Sequence, residues 1–123
     1  MNALGPALLI ALVGTVGCHT FMDTTPRGLQ QKWLEWVRDG AIGQSIYECK
    51  RRQDRRQPCA VFFGSDIPLS NTKLPNGNLE DEYDASLRGK RCRYFYEYEP
   101  QSGVIVGFRF EESEPYACRI TGV

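Results

Sequence analysis

The chain has 123 residues, enough for one domain with a modest core. Its fifteen basic and fifteen acidic residues cancel, so no global field argues for nucleic acid or an acidic membrane surface as partner. Nothing repeats, and an aromatic content of 11% speaks for a folded domain and against disorder.

Asn2 to Gly17 carries no charged side chain, and Ala7-Leu8-Leu9-Ile10-Ala11-Leu12-Val13 is a compact apolar run. Small residues and a cysteine close it, Gly14-Thr15-Val16-Gly17-Cys18. An apolar core followed by small residues is the pattern of an export signal. Thr15-Val16-Gly17-Cys18 resembles a bacterial lipobox, with Thr where Leu is usual and only Met1-Asn2 ahead of the apolar run. The resemblance implies that Cys18 becomes the lipidated first residue of the mature protein. An uncleaved membrane helix is the weaker alternative, because Ala3 to Val16 falls short of the roughly 20 apolar residues a span needs. An ordinary cleaved signal, leaving a soluble exported protein, is the other.

Cysteine parity favours the lipid. Cys18, Cys49, Cys59, Cys92 and Cys118 make five, an odd number for an exported chain whose thiols tend to pair. Acylating Cys18 leaves four, for which three connectivities are open. Cys49–Cys59 and Cys92–Cys118 are expected, since each pair brackets a local turn or hairpin; a Cys49 that is merely a small buried thiol is the alternative. The division is then a signal over 1–17, a lipidated tether over 18–25 and an α+β domain over 26–123. His19, the single histidine, is a linker residue in this scheme. The absence of Asp after the anchor leans toward the outer membrane, facing the periplasm.

Thr25-Pro26 reads as a helix start. Leu29, Trp33, Trp36 and Val37 share one helical face, Gly40 is a natural stop, and a helix is expected over 27–38, packed on a sheet. Ser45 caps a short second helix from Ile46 to Arg52. The stretch 50–56 then holds five cations in seven residues: Lys50, Arg51, Arg52, Arg55 and Arg56. Clamped by Cys49–Cys59, it is a candidate basic loop for lipid headgroups or an acidic partner; a solvated loop or frayed helix end is the commoner meaning of such a run.

Ala60-Val61-Phe62-Phe63 suits a buried strand. Asn76-Gly77 between Leu74 and Leu79 is a two-residue hairpin signal in which both central residues need positive φ. A strand over 79–83 follows, with Leu79 and Tyr83 inward and Glu80 and Glu82 outward. Cys92–Glu99 and Val104–Glu111 alternate cleanly. Setting Tyr98 opposite Val104, Tyr96 opposite Val106 and Tyr94 opposite Phe108 gathers the apolar set on one face. It also puts Phe95 across from Gly107 and Arg93 against Arg109. The tyrosine strip coincides with the apolar face and is expected in the core.

Glu80, Asp81, Glu82 and Asp84 lack the oxygen spacing of a calcium loop. No Ser–His–Asp set, metal cluster or phosphate loop can be assembled, so neither an enzyme nor a cofactor is expected. The order of parts resembles the BamE/SmpA-like family of small bacterial outer-membrane lipoproteins. The likeness lies in Trp36 to Gly43 before Ser45-Ile46, in Leu74-Pro75-Asn76-Gly77-Asn78 with Tyr83, and in Cys92 with Gly103-Val104-Ile105 and Cys118. It covers about residues 29–118; the family's Gly-x-Pro turn after the second helix is replaced by Gln57-Pro58-Cys59. It implies two helical elements, an antiparallel meander and a cell-envelope scaffold role.

The whole reading is an α+β domain, one or two helices on a three- to four-stranded antiparallel sheet, stapled by disulfides. It is expected to act as a lipid-anchored, non-catalytic binding or scaffolding module with an envelope protein as partner. A periplasmic or secreted inhibitor of a lytic or host enzyme is the alternative, presenting Arg51–Arg56 or Glu99–Gly103 as its loop.

Overall fold

A computed structural model describes residues 25–65 and 67–118; the expected signal, Cys18 and most of the tether lie outside these residues. Helix α1 spans Pro26–Ala41. The Thr25 hydroxyl accepts from Gly28 N–H at 3.1 Å, and Pro26 occupies the first turn, where no N–H is needed. The helix runs past Gly40. The chain reverses instead at Gly43, whose φ of 88° suits glycine and whose N–H donates to Ile105 O at 2.8 Å. Gly40 serves a different purpose: a Cβ there would stand 3.2 Å from Ala60 O, so its absence lets that segment approach.

The buried stripe of α1 is Leu34, Val37 and Ala41, with Trp33 half-buried. Leu29 and Trp36 are 37% and 67% exposed, which corrects the expected face. Large tyrosines already fill the sheet's inner surface, so the helix presents its smaller side chains there and leaves Trp36 outside.

Helix α2 spans Ile46–Asp54, two residues longer than expected. Ser45 caps it by accepting from Glu48 N–H. Ile46 N–H donates to Gly103 O at 2.8 Å, and the Tyr47 hydroxyl donates to Pro100 O at 2.6 Å. Gly103 has φ 73°, and a Cβ would come within 2.6 Å of the Tyr47 ring. Helix start and distant loop are thereby fastened together.

Ala60–Phe63 is not a strand. It packs on the sheet's inner face, where the Tyr96 hydroxyl donates to Phe62 O in place of a ladder bond. Phe62 packs edge-on against Trp33, with ring centroids 5.7 Å apart. Phe63 packs on Tyr83, with centroids 5.1 Å apart.

Four antiparallel strands follow in the order β1-β2-β3-β4: Ser70–Lys73, Leu79–Asp84, Cys92–Tyr98 and Ile105–Glu112. The first hairpin departs from the two-residue turn. Gly77 N–H donates to Leu74 O at 2.9 Å and Leu74 N–H to Asn78 O at 2.8 Å. Gly77 has positive φ but Asn76 does not. Pro75 pre-sets the first turn position, so a three-residue loop closing on a left-handed glycine forms instead.

The β3–β4 register also differs from expectation. Tyr98 pairs with Ile105; after a bulge Tyr96 pairs with Phe108 and Tyr94 with Phe110. Val104 is drawn into a bridge with Ser45, and Val106 falls at the bulge, 43% exposed. The slip places Glu97 across from Gly107, Phe95 across from Arg109 and Arg93 across from Glu111. A like-charge contact becomes an attraction. The Arg109 guanidinium lies 3.7 Å from the Phe95 ring centre.

The inner face carries Asp81, Tyr83, Tyr94, Tyr96, Tyr98 and Ile105, all buried, so the tyrosines are core as expected. Disulfides join Cys49 to Cys59 and Cys92 to Cys118, with Cα atoms 5.5 and 5.0 Å apart. Among the described residues no helix is long and apolar enough to cross a membrane.

Candidate functional site

Three features outside ordinary apolar packing carry chemistry: a buried carboxylate, the arginine run and two surface clefts. The carboxylate is Asp81, 1% exposed. It accepts four hydrogen bonds: Lys50 Nζ and the Tyr83 hydroxyl, each at 2.8 Å, on one oxygen, and the Tyr98 hydroxyl and Asn71 amide on the other. Burial pushes its pKa up, but the bonds from Lys50, Asn71 and Tyr83, with the Lys50 charge, outweigh it and hold the carboxyl below its ordinary value. Burial and the neighbouring Asp81 push the Tyr83 and Tyr98 hydroxyls well above the ordinary phenol range. Every group is partnered, so the cluster holds α2 to the sheet. The alternation of Leu79, Asp81 and Tyr83 was the signal that Asp81 faces inward.

The outer face sorts the remaining acids of β2. Arg109 bonds to Glu80 at 2.8 Å and to Glu111 at 2.8 Å. Arg93 pairs with Asp84 and, at 3.7 Å, with Glu82. Among the described residues no cluster of three His, Cys, Asp or Glu could hold a metal ion.

The arginine run does not form one surface. Lys50 turns inward to Asp81, while Arg51 and Arg52 pair with Glu48 one helical turn back. Arg55 and Arg56 are exposed. Most of the run is helix α2, and its end is a Schellman motif: Gln57 N–H donates to Arg52 O and Arg56 N–H to Gln53 O. Arg56 takes the left-handed position at φ 56°, where glycine is usual. The Cys49–Cys59 bridge spans this turn. Arg51, Arg52 and Arg55, with Glu48 and Gln57, line a hollow of about 190 Å³.

Two clefts flank α1. One, of about 210 Å³, is walled by Trp33, Phe62, Ala85, Leu87 and Tyr94. The Tyr94 hydroxyl is the one buried side-chain polar atom among the described residues without a hydrogen-bond partner. Replacing Tyr94 by Phe is therefore expected to leave stability unchanged or raise it by up to about 1 kcal/mol, since no bond is lost and a buried polar atom goes. Tyr83→Phe and Tyr98→Phe remove bonds to a buried carboxylate and are expected to cost about 1.5–3 kcal/mol each. Urea midpoints of the three variants check the contrast.

The larger opening, about 470 Å³, runs between α1 and β4. Its helix side carries Arg27, Gln31, Leu34, Glu35 and Arg38; Phe108 and Phe110 form its strand side. No motif announced it, because it arises from how two elements distant in sequence sit side by side. No protein-family model matches the chain, and neither a curated protein nor a solved structure matches it.

Proposed function

We propose that the chain is a lipid-anchored cell-envelope lipoprotein, held in the outer membrane through acyl chains on Cys18. Its α+β domain faces the periplasm as a non-catalytic binding or scaffolding module. The observation that carries the binding reading is the open groove of about 470 Å³ between α1 and β4. The anchor rests on the apolar segment, the lipobox-like Thr15-Val16-Gly17-Cys18 and the even set of four cysteines that Cys18 leaves behind. Two helices followed by an antiparallel meander, here of four strands, support a BamE/SmpA-like scaffold.

A second reading, an inhibitor of a lytic or host enzyme, is favoured by one observation. The loop Glu99–Gly103 is held rigid by Tyr47 on Pro100 O and by Ser45 on Ser102 O. A preordered loop is what tight enzyme inhibition needs. Pull-down from solubilised envelope separates the two: envelope assembly components support the scaffold, and a single hydrolase supports the inhibitor.

The anchor has its own test. Acyl chains contribute about 0.8 kcal/mol per buried CH₂, and two or more hold a protein on a bilayer without a spanning helix. Cells fed a labelled fatty acid are expected to yield labelled protein whose mature chain begins at Cys18. Cys18→Ser is expected to abolish the label while the four remaining cysteines pair as before. An unlabelled mature chain starting downstream of Cys18 overturns the anchor.

A further inference from the structure

The flank of α1 turned away from the β4 groove leaves apolar side chains in the open. Leu29, Trp33 and Trp36 follow one another there at helical spacing. Trp33 is half-buried against Phe62, while Leu29 and Trp36 are exposed. One turn beyond Trp36, Gly40 meets Ala60 O, so this flank lies on the side of the 60–63 segment. The acids of α1 do not compete for it: Glu35 lines the β4 groove, and Asp39 is paired with Arg38.

A second group stands beside it. Leu87 N–H donates to Lys90 O at 3.1 Å and Lys90 N–H to Leu87 O at 3.0 Å. Arg88 and Gly89 between them have φ of 53° and 76°, the positive pair that a two-residue type I′ hairpin requires. The hairpin keeps Leu87 in the cleft wall with Trp33 and Phe62 and puts Arg88 at its tip. Arg88 and Arg91 are exposed, and among the described residues no ion pair holds either. Their acidic neighbours are taken: Glu114 by Lys90 and Asp84 by Arg93.

The lipid on Cys18 determines what meets this surface. From Cys18 to Thr25 the chain reaches at most about 25 Å at full extension, so the anchor keeps the start of α1 within that distance of the bilayer. Tryptophan prefers headgroup depth, where its ring is in apolar surroundings and its N–H stays wet. A guanidinium group matches phosphate oxygens with two parallel bonds.

We propose that the domain rests on the phospholipid surface through this flank. Leu29, Trp36 and Leu87 enter the headgroup layer, and Arg88 and Arg91 meet lipid phosphates. The membrane then fixes the orientation of the domain and turns the β4 groove, on the opposite flank of α1, away from the lipid. This deepens the lipid-anchor reading and rests on it.

The test reconstitutes the acylated full chain in vesicles of four parts phosphatidylcholine, brominated on its acyl chains, to one part phosphatidylserine. Bromine quenches tryptophan that sits in the bilayer. Trp33→Phe leaves Trp36 as the single tryptophan, and its emission is expected to fall by about half or more relative to vesicles without bromine. Arg88→Glu with Arg91→Glu in that chain is expected to abolish about half of this quenching or more, since two cations at an anionic surface become anions. Should Trp33→Phe misfold, the difference in quenching between the native chain and Trp36→Phe reports the same side chain.

Equal Trp36 emission in both kinds of vesicle overturns the proposal, and so does quenching that the two glutamates leave unchanged. Trp36 that escapes bromine yet is shielded from iodide in the water also overturns it, because a protein then covers the flank. Intact mass separates the two readings. A chain without acyl groups on Cys18 defeats the anchor and the docking together, whereas an acylated chain with unquenched Trp36 defeats the docking alone.

Discussion

Asp81→Asn is expected to destabilise the domain by about 3–5 kcal/mol, the cost of breaking a buried ion pair from one side. Four donors converge on the native carboxylate. An amide offers only one oxygen, so two of the four meet an N–H₂ group, and Lys50 loses its counter-charge. Lys50→Met is expected to be comparably harmful, since it leaves a buried anion short of its strongest partner. The double variant is expected to cost much less than the sum, because neither charge is then left alone. The same cluster sets the acid response. The folded-state pKa of Asp81 lies below the ordinary 3.8, so the unfolded chain binds the proton more readily. Its contribution is fully present above about pH 4–5 and is lost as pH falls through the folded value. Urea midpoints between pH 7 and pH 2 are expected to fall more steeply for the native chain than for Asp81→Asn.

Removing the Cys92–Cys118 bridge is expected to be the next largest loss. The bridge closes a loop with a sequence separation of 26, worth about 3.5 kcal/mol of restricted unfolded chain, against about 2.7 kcal/mol for the separation of 10 at Cys49–Cys59. It is also core: Cys92 and Cys118 pack with Leu34 and Tyr94. Cys118 further fastens the segment after β4 to α1 and β4, since its carbonyl accepts from Gln30 and its N–H donates to Glu112 at 3.0 Å. Cys92→Ala with Cys118→Ala is expected to lower Tm by roughly 15–25 °C. Cys49→Ala with Cys59→Ala is expected to lower it less. Thermal unfolding followed by circular dichroism compares the pairs.

Local signals were legible wherever they acted over a few residues. Thr25-Pro26 and Ser45 start helices because a cap needs only its own first turn. Cys92, Tyr94, Tyr96 and Tyr98 read as one buried face because strand alternation has a period of two. Both cysteine pairings followed from turns close in sequence. The arginine run was legible as charge, but its division was not. Lys50 lies one turn beyond Ile46 on the inward side of α2, and its partner Asp81 is 31 residues away.

Other outcomes belonged to tertiary competition. The apolar stripe of α1 was visible, yet its rotation toward Leu34 and away from Trp36 depended on the space the tyrosines left. Ala60–Phe63 has strand composition but lies on a sheet face, where a tyrosine hydroxyl replaces the ladder. The β3–β4 register turned on Ser45 claiming Val104 and on Arg93 and Arg109 finding acids across the sheet. The groove between α1 and β4 is the plainest case. An opening there is a property of strand order and of what α1 leaves uncovered, and neither is written in the residues of β4.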